Sequence, residues 1–143
     1  DDFTTLALAL RTNDTLQSLK FSTWDVSISE ATPGLAIPVF EALKDNINLL
    51  KLEISVVARD IPTLRGLLEV NSTLEDLNLI FVHRPSIEII NALSVIVVNS
   101  SLINVKVSYN DKQIPLTGEA QEIIDRRRHN VMRQSQTLLG LLM

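Results

Sequence analysis

Four stretches of the chain superimpose position by position when Asn13, Asn46, Asn71 and Asn99 are aligned. Three residues after each Asn stands Leu16, Leu49, Leu74 or Leu102. Six after it comes Leu19, Leu52, Leu77 or Val105, and eight after it Phe21, Ile54, Leu79 or Val107. The frame N-x-x-L-x-x-[LV]-x-[LIVF] recurs at spacings of 33, 25 and 28 residues. Such recurrence means one supersecondary unit copied along the chain. A unit this small cannot bury its own apolar face, so copies must stack.

The residues before each Asn repeat as well. Leu10, Leu43, Leu68 and Ile96 precede it by three, and Ala9, Ala42, Leu67 and Val95 by four. Leu6, Val39, Leu64 and Ala92 stand at seven, and Phe3, Ala36, Ile61 and Ile89 at ten. These intervals trace one face of an α-helix. Each Asn is therefore expected to end a helix in the left-handed conformation that Asn tolerates, with Thr15, Asn48, Thr73 or Ser101 in the turn that follows. Beyond the turn the period becomes two, as in Leu19-Lys20-Phe21, Leu52-Glu53-Ile54, Leu77-Asn78-Leu79 and Val105-Lys106-Val107. Alternation predicts a strand with one buried and one wet face. Successive strands joined through a helix must run parallel.

Such a series builds either a doubly wound sheet, with helices on both faces, or a solenoid with helices on one. A strand covered on both sides reads as a continuous Val/Ile/Leu run. Here Lys20, Glu53, Asn78 and Lys106 hold the same central position in all four strands, so one face is exposed and the solenoid is expected. Composition agrees with a folded chain: of 143 residues 45 % are hydrophobic and 21 % charged, and the net charge is −4. That supports a single domain over 1–143 and excludes disorder. Without Cys there is no disulfide framework, thiolate zinc site or cysteine nucleophile. No run of about 20 apolar residues is present to cross a bilayer, and no membrane partner is expected. The acidic balance argues against binding a nucleic-acid backbone.

These residues resemble the leucine-rich repeat family, in its ribonuclease-inhibitor-like class, over about Phe3 to Val107. The resemblance implies an α/β right-handed superhelix of four to five units, with a parallel sheet on the concave face and helices on the convex face. The family's Asn three residues after the last strand Leu is replaced by Trp24, Val57 and Val82, and is kept only at Asn110. The segments 42–49 and 68–74, Ala-Leu-Lys-Asp-Asn-Ile-Asn-Leu and Leu-Glu-Val-Asn-Ser-Thr-Leu, are similar to repeats of the tropomodulin C-terminal domain. That likeness implies a terminal helix, a cytoplasmic location and an actin-associated role.

Between the units, Thr23 to Gly34 forms the longest connector, and Pro33, Pro62 and Pro85 stand where helices begin and a missing N–H costs little. Asn110 to Pro115 is expected to be a polar turn. Thr117 then caps a terminal helix over 117–132, with Glu119 and Glu122 early and Arg126, Arg127 and Arg128 late, an order that complements the helix dipole. This helix is expected to solvate the end of the stack. The apolar tail 133–143 is expected as a fifth degenerate strand, or as a segment packed in a groove or on a second molecule. The chain begins at Asp1, inside a helical stripe, which predicts a fragment of a longer protein.

Catalytic and cofactor signatures are missing from the sequence. His83 and His129 have no carboxylate or second His at metal-ligand spacing, and no G-x-S-x-G elbow, Gly-rich phosphate turn or Walker loop occurs. Neither enzyme activity nor a cofactor is expected, although a small doubly wound enzyme or nucleotide-binding domain is the alternative. The sequons at Asn13, Asn71 and Asn99 follow from the repeat frame itself. The exposed strand face is the candidate site for another protein, actin or a cytoskeletal protein among the candidates. By the family's geometry its outward columns are Ser18, Lys51, Asp76, Asn104; then Lys20, Glu53, Asn78, Lys106; then Ser22, Ser55, Ile80, Ser108; then Thr23, Val56, Phe81, Tyr109. Ile80, Phe81 and Tyr109 would supply apolar and aromatic anchors, and the arginines of the terminal helix a second contact.

Overall fold

The computed structural model describes residues 2–22 and 34–142. In chain order it contains α1 (Asp2–Thr12), β1 (Ser18–Phe21), α2 (Ile37–Leu43), β2 (Lys51–Val56), α3 (Ile61–Val70), β3 (Asp76–Phe81), α4 (Ile87–Val98), β4 (Asn104–Tyr109), β5 (Lys112–Gln113) and α5 (Gly118–Leu142). Thr23, Trp24 and Pro33, together with most of the connector between β1 and α2, lie outside the described residues.

The alternating segments form β1 to β4, which pair in parallel and in sequential order. The frame positions meet in register: Leu52 opposite Leu77 and Leu77 opposite Val105, Ile54 opposite Leu79 and Leu79 opposite Val107. A doubly wound sheet reverses its strand order at a switch point; this order does not reverse, and Lys20, Lys51 and Lys106 on the far face are exposed. Each helix packs on the next, from α1 on α2 to α4 on α5. The core lies between this helix layer and the near face of the sheet, filled by Phe40, Leu43, Leu49, Ile54, Leu64, Leu74, Leu79, Leu93 and Leu102. At the first unit the Phe3 and Phe21 rings meet edge to face, 4.6 Å apart, and join α1 to β1. Of the prolines expected at helix starts, Pro62 occupies a first-turn position of α3 and Pro85 directly precedes Ser86, which accepts from the Ile89 N–H to cap α4; in α2 the first-turn proline is Pro38, and Thr117 accepts from the Ala120 N–H at α5 as expected.

The recurring Asn acts differently from the expected left-handed cap. Asn71 is extended at φ −101°, ψ 114°, and among the described non-glycine residues only Asn110 and Asp111 have positive φ. What the turn uses is the side chain. Asn71 Nδ2 donates to Leu43 O at 2.9 Å and Asn46 O at 3.0 Å in the preceding unit, while its Oδ1 accepts from the Thr73 and Leu74 N–H groups. Asn46 does the same one unit earlier, donating to Leu10 O and Asn13 O and accepting from Asn48 N and Leu49 N. Each amide thus ties its own turn and staples it to the turn before.

In the fourth unit the ladder slips by one residue. Asn99 donates back to Val95 O of its own helix, and Ser100 Oγ accepts from Leu102 N instead. Helix α4 is turned accordingly: Ile90, Leu93, Ser94 and Val97 are buried, whereas Ala92 and Val95, expected in the core, are exposed. Counted from Ser100 rather than Asn99, the burial returns to the frame of the other helices.

Two further expectations change. The segment after β4 is a hairpin, in which Asn110 (φ 54°) and Asp111 (φ 63°) make the two-residue turn that returns β5 antiparallel to β4. The tail is no strand: α5 runs 25 residues without a break from Gly118 to Leu142, across the expected boundary at 132.

Candidate protein-interaction surface

Parallel pairing sets the outward residues in rows across the sheet. Ser18, Lys51, Asp76 and Asn104 form one row and Lys20, Glu53, Asn78 and Lys106 the next, each residue facing its neighbour in register. The three lysines are exposed, while Glu53, Asp76, Asn78 and Asn104 are half-buried between them. Asn78 Nδ2 donates to Glu53 Oε1 at 2.7 Å, and Lys51 Nζ lies 3.8 Å from Asp76 Oδ2. The two rows floor a shallow depression of about 150 Å³. An ion pair as exposed as Lys51 with Asp76 contributes little to stability, about 0–1 kcal/mol. Its consequence is orientation: carboxylates are held at the middle of the face, with Lys20 and Lys106 exposed on the strands to either side.

The third row is apolar only at half-buried Ile80, beside buried Ser55 and half-buried Ser108. The fourth row is a correction. Side chains on a strand alternate, so Phe81 shares the face of Leu77 and Leu79; it is 3 % exposed, Val56 is fully buried, and Tyr109 packs against the core. Phe81 is a core residue and offers no anchor to a partner.

The arginines of α5 divide. Arg126 is exposed, and Arg128 pairs with Asp125 at 2.8 Å. Arg127, expected to be solvated, turns inward. Its Nη1 donates to Val97 O and Leu102 O, and its Nη2 to Val98 O at 2.6 Å. A guanidinium thereby takes up carbonyls at the end of the fourth unit, where earlier units use the next Asn. The planar fork of Arg suits several acceptors at once.

Asp60 is a residue that the repeat frame does not mark. It is fully buried at the start of α3, and its Oδ1 accepts from Leu35 N (2.7 Å) and Ala36 N (2.9 Å) while Oδ2 accepts from Val57 N (2.8 Å). One carboxylate therefore pins the start of α2 to the turn after β2. Burial pushes this carboxyl above its ordinary value, against the lowering effect of the backbone N–H groups of Val57, Leu35, Ala36 and Ile37. Gly34 lies so close that an added Cβ would stand 2.9 Å from Asp60 Oδ1. The available signal was Asp directly before Ile61-Pro62, a helix-start pattern.

His83 and His129 do not belong to a larger cluster: among the described residues no group of three or more His, Asp or Glu side chains converges on a metal-sized site. No described helix is long and apolar enough to cross a membrane. Of the sequon asparagines, Asn71 is buried with its amide bonded on both sides, and Asn13 uses its Oδ1 in the turn.

No protein-family model and no curated protein matches the chain. Solved structures do. The leiomodin-1 actin-binding site 2 superimposes with a TM-score of 0.61 at 14 % identity, over 99 % of this chain and 79 % of that one. The tropomodulin C-terminal domain of Caenorhabditis elegans superimposes with a TM-score of 0.55 at 16 % identity, over 98 % of this chain and 99 % of that one. At these identities the likeness establishes a shared fold. The parallel sheet with its helix layer is therefore an arrangement these two domains also adopt.

Proposed function

We propose that the chain is a non-enzymatic protein-interaction domain of the cytoskeleton, that actin is its partner, and that the rows Lys20–Lys106 and Lys51–Asn104 make the contact. The supporting observation is the outward sheet face: exposed lysines around half-buried carboxylates, on strands fixed in register by backbone pairing. A face held rigid before binding loses little entropy when it binds. The fold shared with a structure named as an actin-binding site over nearly the whole chain directs the choice of partner. In this reading the units stack as a leucine-rich repeat solenoid of the ribonuclease-inhibitor-like class, the sheet lining its concave side, and the protein works in the cytoplasm. Arg126 adds a contact at the end of the stack.

The test is direct binding of the purified chain to monomeric and to filamentous actin. Saturable binding that weakens with added salt is the expected result, because exposed charges are screened. Absence of binding to both forms overturns the choice of actin. A thermal-shift screen with nucleotides then addresses the enzyme alternative, which requires a ligand-induced rise in melting temperature.

A further inference from the structure

Where β4 ends and α4 and α5 begin, the fold leaves a groove of about 1030 Å³. That is at the upper end of the roughly 300–1,000 Å³ of ligand clefts, so it has room for a chain segment rather than for one side chain. Its walls are the start of α4, the β4–β5 hairpin and residues 114–117. Ile87, Ile90, Ile114, Pro115 and Leu116 give it an apolar floor. Ile90 and Leu116 are continuous with the core, whereas Ile87 is 77 % exposed. An apolar side chain that enters removes this surface from water.

The charge of the groove has one sign. Arg84 and Lys112 line it, and no Asp or Glu does. Both are exposed, and among the described residues neither is held in an ion pair. Glu88, Asp111 and Glu119 are close in sequence yet do not line the groove. Two unpaired cations beside apolar surface contrast with a chain whose net charge is −4. The backbone adds a third element. Lys112 pairs with Tyr109, and Ile114 N donates to Val107 O at 2.7 Å, so the Gln113 N–H and C=O between them face away from β4, at the last edge of the sheet. Gln113 also lines the groove.

We infer that the groove binds an extended segment of a partner protein in which an Asp or Glu stands next to a large apolar residue. The apolar side chain covers Ile87 and Ile90, the carboxylate meets Arg84 or Lys112, and the backbone of the segment pairs with Gln113 as an added strand. A basic segment is repelled by the two cations, and a wholly polar one leaves the floor uncovered. The groove shares no residue with the lysine rows of the sheet face, so it stands or falls independently of the partner proposed for them.

Selection of a randomised peptide display library on the purified chain is expected to enrich sequences in which Asp or Glu adjoins Leu, Ile, Val or Phe. A selected peptide, made synthetically, should bind at least about tenfold more weakly to Ile87→Asp and to Arg84→Glu with Lys112→Glu. It should bind undiminished to Lys20→Glu with Lys106→Glu. All five sites are exposed, so circular dichroism and melting temperature should not change, and Arg84→Gln with Lys112→Gln, which only neutralises the groove, should weaken binding in the same direction. Failure to enrich any sequence, enrichment of basic or uncharged sequences, or binding that depends on Lys20 and Lys106 instead overturns the inference. So does a dimer of the purified chain that Ile87→Asp dissociates, because the groove then holds a second copy.

Discussion

Asn46 and Asn71 each hold two units together with a single amide. Because Asn71 is buried and bonds to backbone on both sides, Asn71→Ala strands two carbonyls and two N–H groups away from water. A loss on the order of 3 kcal/mol is expected in urea unfolding. Asn13 uses only its Oδ1 in an exposed turn, so Asn13→Ala should cost about 1 kcal/mol or less. Equal costs would contradict the ladder. Asp60 sets a pH dependence whose sign follows from burial. Its folded value is raised above the ordinary 3.8; the protonated form is thus favoured by folding, and that contribution is present below the unfolded value and lost as pH rises through the folded one. The stability of the natural chain minus that of Asp60→Asn should therefore fall as pH rises from the ordinary carboxyl value of 3.8 through the raised folded one. A difference that rises over that interval contradicts the role given to burial. Neither role could be read from the alignment. The recurrence of Asn pointed to a turn, but only the three-dimensional stack reveals that its amide reaches the preceding unit, and Asp60 occurs once.

At the scale of elements, the strands were legible because alternation fixes both their existence and their wet face. Helix α4 was less so. Its sequence is apolar on nearly every side, and Asn99-Ser100-Ser101 offers adjacent polar residues for the turn, so the one-residue slip left no mark. Period two alone puts Phe81 inside with Leu77 and Leu79, and the family's outward columns do not hold at that position. In the tail, Leu138 and Leu141 are three apart, a spacing that a repeat strand and a helix share; the unbroken α5 decides it. Arg127 shows why that helix stays in place. Arg127→Ala removes three carbonyl contacts made by a charged donor and should cost on the order of 2 kcal/mol, while exposed Arg126→Ala should stay within about 0.5 kcal/mol. Urea unfolding of both variants checks this, and equal small losses would mean that Arg127 does not close the stack.

For the molecule as a whole, the repeat frame led to the α/β arrangement, the parallel order and the exposed face, since all follow from periodicity. The identity of a partner does not follow from periodicity, because the outward rows carry no fixed pattern from unit to unit. The central claim is that this face, and not the stability of the stack, binds actin. Its most direct measurement is the dissociation constant for actin of Lys20→Glu with Lys106→Glu, taken alongside the melting temperature. The account predicts binding weaker by at least about tenfold, roughly 1.4 kcal/mol, with melting unchanged. Undiminished affinity, or lost affinity accompanied by unfolding, would contradict it.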